Sequence, residues 1–254
     1  MKTLSLTSIL LAIAAVTASP LPESGAGKTL QEGEFLLMNQ GQLEIANETR
    51  VHEFLKSEGI SLEAPEIDHD WLNFTAPDKI DANIEARDSC SNTVATVTDK
   101  TERFLDWDVQ MSPVVIGAGN TGIDMYISSG WSVSNAVTVS PGLSNGALKT
   151  YLGVSFGVDY TKTWTTTTTL QYKVTVLSGQ AGVWVTQPWT TRRYGRQLRG
   201  CPGSFTTIGT WMADSHDDGS YGNAKWVSGI ITSCIKGVPQ NGGLTRCHGS
   251  GEFR

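Results

Sequence analysis

The sequence predicts an all-β protein: an antiparallel, β-sandwich-like back half with two disulfides, preceded by an acidic, mostly irregular front segment. Three observations predict it. From Leu152 to Val176, apolar and aromatic residues (Leu152, Val154, Phe156, Val158, Tyr160, Trp164, Leu170, Tyr172, Val174, Val176) alternate with Gly, Ser, Asp, Thr, Gln and Lys. That is the period-two pattern of a half-buried strand. Gly130, Gly142, Gly146, Gly195, Gly203, Gly219 and Gly222 punctuate short runs rich in Val, Thr and Trp, and helix signals are few. Four cysteines, Cys90, Cys201, Cys234 and Cys247, lack any CxxC or zinc-ligand spacing. Behind a secretory leader they imply two disulfides.

The chain begins with that leader. Lys2 precedes an apolar core, Ile9–Val16, and Val16-Thr17-Ala18 ends in small residues. This is a signal peptide, residues 1–18, cleaved after Ala18 and too short to span a bilayer. No later stretch approaches 18 apolar residues, so the protein is expected outside the cell without a membrane-spanning helix.

Residues 19–87 set five basic against 14 acidic residues, a balance of −9, whereas residues 88–254 stand at +2. With Lys2 these make the overall −6. The break in charge predicts a pro-segment over 19–87, cut at Arg87, and a mature domain over 88–254. The best helical stretch of the front is Arg50–Leu62, with Val51, Phe54 and Leu55 on one face and Gly59 weakening its end. Both glycosylation sequons lie here, at Asn47 and Asn73.

In the back half, Ser132–Val139 alternates, with Val133, Val137 and Val139 on one parity. The stretch Leu152–Val176 has a length problem. Fully extended it would run roughly 80 Å, about twice the width expected of such a domain. A bulge or sheet crossing near Thr161–Thr163 is expected, because Lys162 is the one charge on the apolar parity. Val183–Thr186 follows the turn Ser178–Gly182 and is expected to pair back on the strand ending at Val176. The same alternation also suits a membrane-inserting β-segment.

Four motifs invite chemistry. Gly117–Gly122 matches GxGxxG after an apolar run, but no helix pattern follows, so it reads as a glycine loop between strands. Gly142-Leu143-Ser144-Asn145-Gly146 matches the GxSxG nucleophile elbow, with Asp214, His216 and His248 downstream. It sits between alternating stretches after Pro141, and Asn-Gly reads as a turn. Asp214–Gly219 gathers one imidazole and three carboxylates, which reads as a solvated turn more than a metal site. Arg192, Arg193, Arg196 and Arg199, with Tyr194 and Trp189, form a binding patch suited to an anionic ligand. A back-half charge of only +2 argues against nucleic acid. Neither a cofactor nor a metal is implied. The cysteines permit three connectivities; Cys234–Cys247 would close a local loop, leaving Cys90 with Cys201.

Taken together, the leader, the acidic front, Cys90-Ser91, the run Phe104–Pro113, Trp164 with its threonines, and Cys201-Pro202-Gly203 resemble small secreted effector-like proteins of filamentous fungi. The resemblance covers most of residues 88–247. It implies a secreted protein with no catalytic residues to carry over, acting on an extracellular or host target. Such proteins often carry Lys-Arg before the first cysteine; this chain has Ala86-Arg87. The long Ser/Thr-alternating stretch is also similar to aerolysin-type pore-forming proteins. The leading expectation is therefore a non-enzymatic binding protein, with a membrane-active β-toxin and a serine hydrolase using Ser144 as alternatives.

Overall fold

The structure, a computed structural model, describes residues 28–39, 42–77, 93–167, 172–221, 224–238 and 243–253. The expectations for Ala18, Arg87 and Cys90 lie outside these residues. The front of the chain supplies β1 (Lys28–Thr29), β2 (Glu34–Asn39), β3 (Gln42–Asn47), α1 (Glu48–Ser57) and α2 (His69–Leu72). Then follow β4 (Val94–Leu105), β5 (Val109–Gln110), β6 (Val115–Ile116), β7 (Ile123–Tyr126), β8 (Ser132–Ser134) and β9 (Ala136–Val139). Next come α3 (Asn145–Phe156), β10 (Thr163–Thr165), β11 (Tyr172–Val176) and the 20-residue β12 (Gln180–Arg199). The last strands are β13 (Thr206–Ser215), β14 (Asp218–Tyr221), β15 (Ala224–Val227) and β16 (Gly229–Gly237).

The fold is mostly β, and among the described residues its ladders are antiparallel except β1 on β11. The strand that organises it is β12. Along one edge it pairs with β16 up to Pro188 and with β13 from Thr191. Along the other it meets β6, β5 and then β4. The change of partners falls at Pro188-Trp189, where proline has no N–H to give a ladder. From Ala181 to Thr190 every side chain of β12 is buried. A strand covered on both faces shows no alternation, which hides it from a period-two search. Trp184 enters one core with Met111, Met125 and Val176. Val183 and Val185 enter another with Cys234, Leu244 and Phe253.

The expected strand over Leu152–Val176 is corrected. Residues 145–156 form α3: the Ser144 side chain caps its first turn, and Gly157 ends it in a left-handed conformation (φ 66°). Leu148 and Leu152 are its buried stripe, packed with Trp211 and Tyr160. The break expected near Lys162 is a turn, with Lys162 N–H donating to Asp159 O. Trp164 is buried between exposed Thr163 and Thr165, as the alternation there requires. The expected hairpin of Val183–Thr186 on the strand ending at Val176 does not form; β11 pairs with β7 and β1.

The described residues of the front segment, 28–39 and 42–77, are mostly in strands and helices, where irregular chain was expected. β2 joins the main sheet through β16, and β3 pairs on β2. Asn47 caps α1, its side chain accepting from Arg50 N–H. The predicted face of α1, Val51, Phe54 and Leu55, packs with Leu105, Trp189 and Ile230 from the back half. The helix ends before Gly59 (φ 65°), short of the expected Leu62. One disulfide, Cys234–Cys247, ties β16 to the C-terminal segment. Cys201 is also disulfide-bonded.

Candidate functional site

A cleft of about 710 Å³ opens where α1 meets the β14–β15 hairpin and β10. Its apolar lining comes from Met38, Phe54, Ile60, Trp164 and Trp189. Its charged lining is Glu58, Arg103, Lys162, Asp217, Asp218 and Lys225. Three cations face three carboxylates, so the lining is formally neutral. Both halves of the sequence build it: the turn after α1 brings Glu58 and Ile60, and the main sheet brings Met38, Arg103 and Trp189.

Local structure positions each group. Trp164 faces inward because β10 pairs with β8, placing it opposite Val133. Its indole N–H donates to Asp218 Oδ1 at 2.8 Å. Lys162 Nζ donates to both oxygens of Asp218, at 2.6 and 2.7 Å, and lies 4.9 Å from the Trp164 ring centroid. These contacts, the lysine first and the indole second, hold the Asp218 carboxyl below its ordinary range against a smaller opposing effect of burial. Beneath them, His216 meets the Trp164 ring edge-on at 6.0 Å. His216 N–H donates to Asn135 Oδ1 at 2.8 Å, and its Nδ1 lies 3.1 Å from the same oxygen. Burial pushes this imidazole below its ordinary pKa, while the carboxylates of Asp106, Asp214 and Asp217 pull the other way. On the opposite wall Phe54 tilts over Trp189 at 5.6 Å, and Arg103 Nη1 donates to Glu58 O at 3.2 Å.

The arginine patch read from the sequence is dispersed. It lies on the paired part of β12, and a strand sends successive side chains to opposite faces. Arg192 is buried, donates to both oxygens of Asp214 at 2.8 Å and to Pro65 O at 3.1 Å, and covers the Phe104 ring at 4.9 Å. Arg193 lies on Phe156 of α3, 4.4 Å from its ring centroid, and donates to Ser215 Oγ. Arg196 pairs with Asp99. Arg199 is exposed at the strand end, and Trp189 belongs to the cleft. Tyr194 is buried under the front segment: its OH accepts from Asp68 N–H at 3.5 Å, and Trp71 packs edge-on against its ring. The patch is therefore no single surface for an anion.

The other motifs separate too. Ser144 is the N-cap of α3, its Oγ accepting from Ala147 N–H at 3.5 Å. Of its sequence partners, Asp214 is bound to Arg192, His216 to Asn135, and His248 N–H donates to Asp108. Gly117–Gly122 forms the loop between β6 and β7. Within Asp214–Gly219, Asp217 and Asp218 reach the cleft while Asp214 does not. Asn73 is the exposed C-cap of α2. Asp108, Cys234 and Cys247 converge, but the two sulfurs are bonded to each other, so they are not a thiolate set for a metal. Glu58, Arg103, Lys162 and Lys225 were not singled out from the sequence as site residues. Charged residues at turns and strand ends carry no local mark of the cleft they border. Among the described residues, no helix is long and apolar enough to cross a membrane.

No family model, curated protein or solved structure matches the chain.

Proposed function

We propose that the protein is secreted behind its first 18 residues and works without catalysis, as an effector-like binding protein that holds an extracellular or host target in the Trp164–Trp189 cleft. The observation that carries this reading is the cleft itself: about 710 Å³, with an apolar floor and a charge-balanced rim. Ligand sites have this size and this mixture of apolar surface with few fixed polar groups. A neutral rim favours an amphipathic segment of a partner over a strongly anionic ligand. The three-stranded sheet β1–β11–β7 lies across a shared core from the main sheet, which supports the sandwich-like reading. Processing at Ala18 and Arg87 belongs to the same proposal, with the front segment staying built into the sheet after the cut. The membrane-active alternative loses residues 152–156 of its alternation to α3.

The test uses the secreted protein. Lys225→Glu and Asp217→Lys reverse exposed rim charges and should each abolish capture of a target that the unaltered protein retains from extracellular fluid. Equal capture by both variants would remove the cleft from the argument. Dye release from liposomes would favour the toxin, and labelling of Ser144 by a serine-reactive phosphonate would favour the hydrolase.

A further inference from the structure

A second cleft, about 550 Å³, lies between the segment at residues 64–69 and the turn that carries Asp106 and Trp107. Pro65, Glu66, His69, Asp106, Trp107 and Ser250 line it, with Arg192 at its wall. We propose that it binds an organic cation of the alkylammonium class, seated on the face of Trp107.

Trp107 is 42% exposed and is the one tryptophan among the exposed large hydrophobic residues described. It is nevertheless held firmly. Its indole lies on Gly249, whose φ is +95°, and a Cβ at that glycine would collide with the Trp107 side chain. The loop beneath is doubly anchored. Cys247 is bonded to Cys234, and the wholly buried Asp108 accepts from Cys247 N–H at 2.8 Å and His248 N–H at 2.7 Å. Trp107 N–H in turn donates to Asp106 Oδ1 at 2.8 Å. One face of the ring rests on backbone, which leaves the cleft a fixed aromatic surface.

Charge decides what that surface takes. Asp106 is fixed by Trp107 N–H on one oxygen and by Thr190 Oγ1 on the other, at 3.1 Å. Glu66 is exposed and makes no ion pair or side-chain hydrogen bond among the described residues. The cation at the wall, Arg192, is already engaged by Asp214, Pro65 O and the Phe104 ring. The unspent charge is therefore negative, and the π-face beside it is the negative end of the ring quadrupole. Both attract a cation. The chain already seats an ammonium this way, with Lys162 over Trp164. A neutral sugar could use the ring but not the carboxylate charge, which is what separates the two ligands in experiment.

Calorimetric or NMR titration of the purified full-length secreted chain tests the proposal. The probes are choline, Nα-acetyllysine methylamide, the neutral carbon isostere of choline, and a neutral oligosaccharide. Choline or the lysine derivative should saturate the site, and which binds tighter tells a small quaternary ammonium from a protein side chain. The neutral isostere should bind about tenfold more weakly. Trp107→Ala should weaken the cation about tenfold, and Glu66→Gln about threefold. Trp107→Phe, which keeps a ring, should lie between Trp107→Ala and the unaltered chain, and serves if the alanine variant fails to fold. Equal binding of choline and its isostere, binding of the oligosaccharide alone, indifference to Trp107→Phe and Glu66→Gln, or no saturable binding of either cation would each overturn it.

Discussion

Phe54→Ala tests whether the front segment belongs to the core of this protein or rides on it. Phe54 is 8% exposed and lies 5.6 Å from the Trp189 ring, inside a cluster shared with Leu105 and Ile230. Truncating a buried phenylalanine costs about 3–5 kcal/mol, and the lost aromatic pair places this case at the upper end. At about 2–4 °C per kcal/mol for a chain of this size, Tm should fall by roughly 6–20 °C. Glu53→Ala, one residue away and exposed, should change stability by less than about 0.5 kcal/mol. Removing the whole front withdraws Leu30, Leu36, Leu37, Met38, Val51, Phe54, Leu55 and Ile60 from burial. At about 1.5–3 kcal/mol for each large side chain, roughly 12–24 kcal/mol in all, that is as large as, or larger than, the whole roughly 5–15 kcal/mol stability of an ordinary domain. Residues 88–254 alone should therefore fail to reach the same fold. A chain cut at Arg87 should elute as one particle and separate into two pieces only in denaturant. Urea unfolding followed by tryptophan fluorescence, with size exclusion before and after proteolysis, reads both outcomes. Equal Tm for Phe54→Ala and Glu53→Ala, or a stable isolated back half, would refute the reasoning.

Leu152→Ala should cost about 2–5 kcal/mol, whereas Val154→Ala, at a side chain 85% exposed on α3, should cost little; denaturant midpoints decide, and equal costs would restore the strand. Cys247→Ser opens the 13-residue loop to Cys234 and should cost about 3 kcal/mol by loop-closure entropy, read by thermal unfolding. The lowered pKa of His216 means that the unfolded chain takes up this proton more readily than the folded one. Its contribution to stability is complete above about pH 6.5, the ordinary imidazole value, and is lost as pH falls below that toward the lowered folded value. His216→Gln should flatten stability against pH across that window, and an unchanged slope would contradict the burial argument.

Short-range chemistry determined much of this protein before any fold was known. The apolar run Ile9–Val16, the acid-to-basic change near Arg87, the even cysteine count and the β-rich back half are properties of composition and order. The α1 face of Val51, Phe54 and Leu55 and the inward Trp164 follow from periods of 3.6 and two. Even α3 left local marks: the Ser144 cap, the spacing of Leu148 and Leu152, and Gly157. These marks do not decide the matter alone, because residues 152–156 fit the strand period equally well, and only packing on Trp211 chooses between them. The rest depended on tertiary structure. β12 is buried on both faces from Ala181 to Thr190 and carries no alternation to read. Arg192 and Arg193, which adjoin in sequence, are parted by the pleat, and Arg192 and Arg196 are paired with Asp214 and Asp99, distant along the chain. The Trp164–Trp189 cleft joins Phe54 to Asp218, because pairing partners far apart along the chain are chosen by the collective burial of a shared core, which no local window of sequence contains.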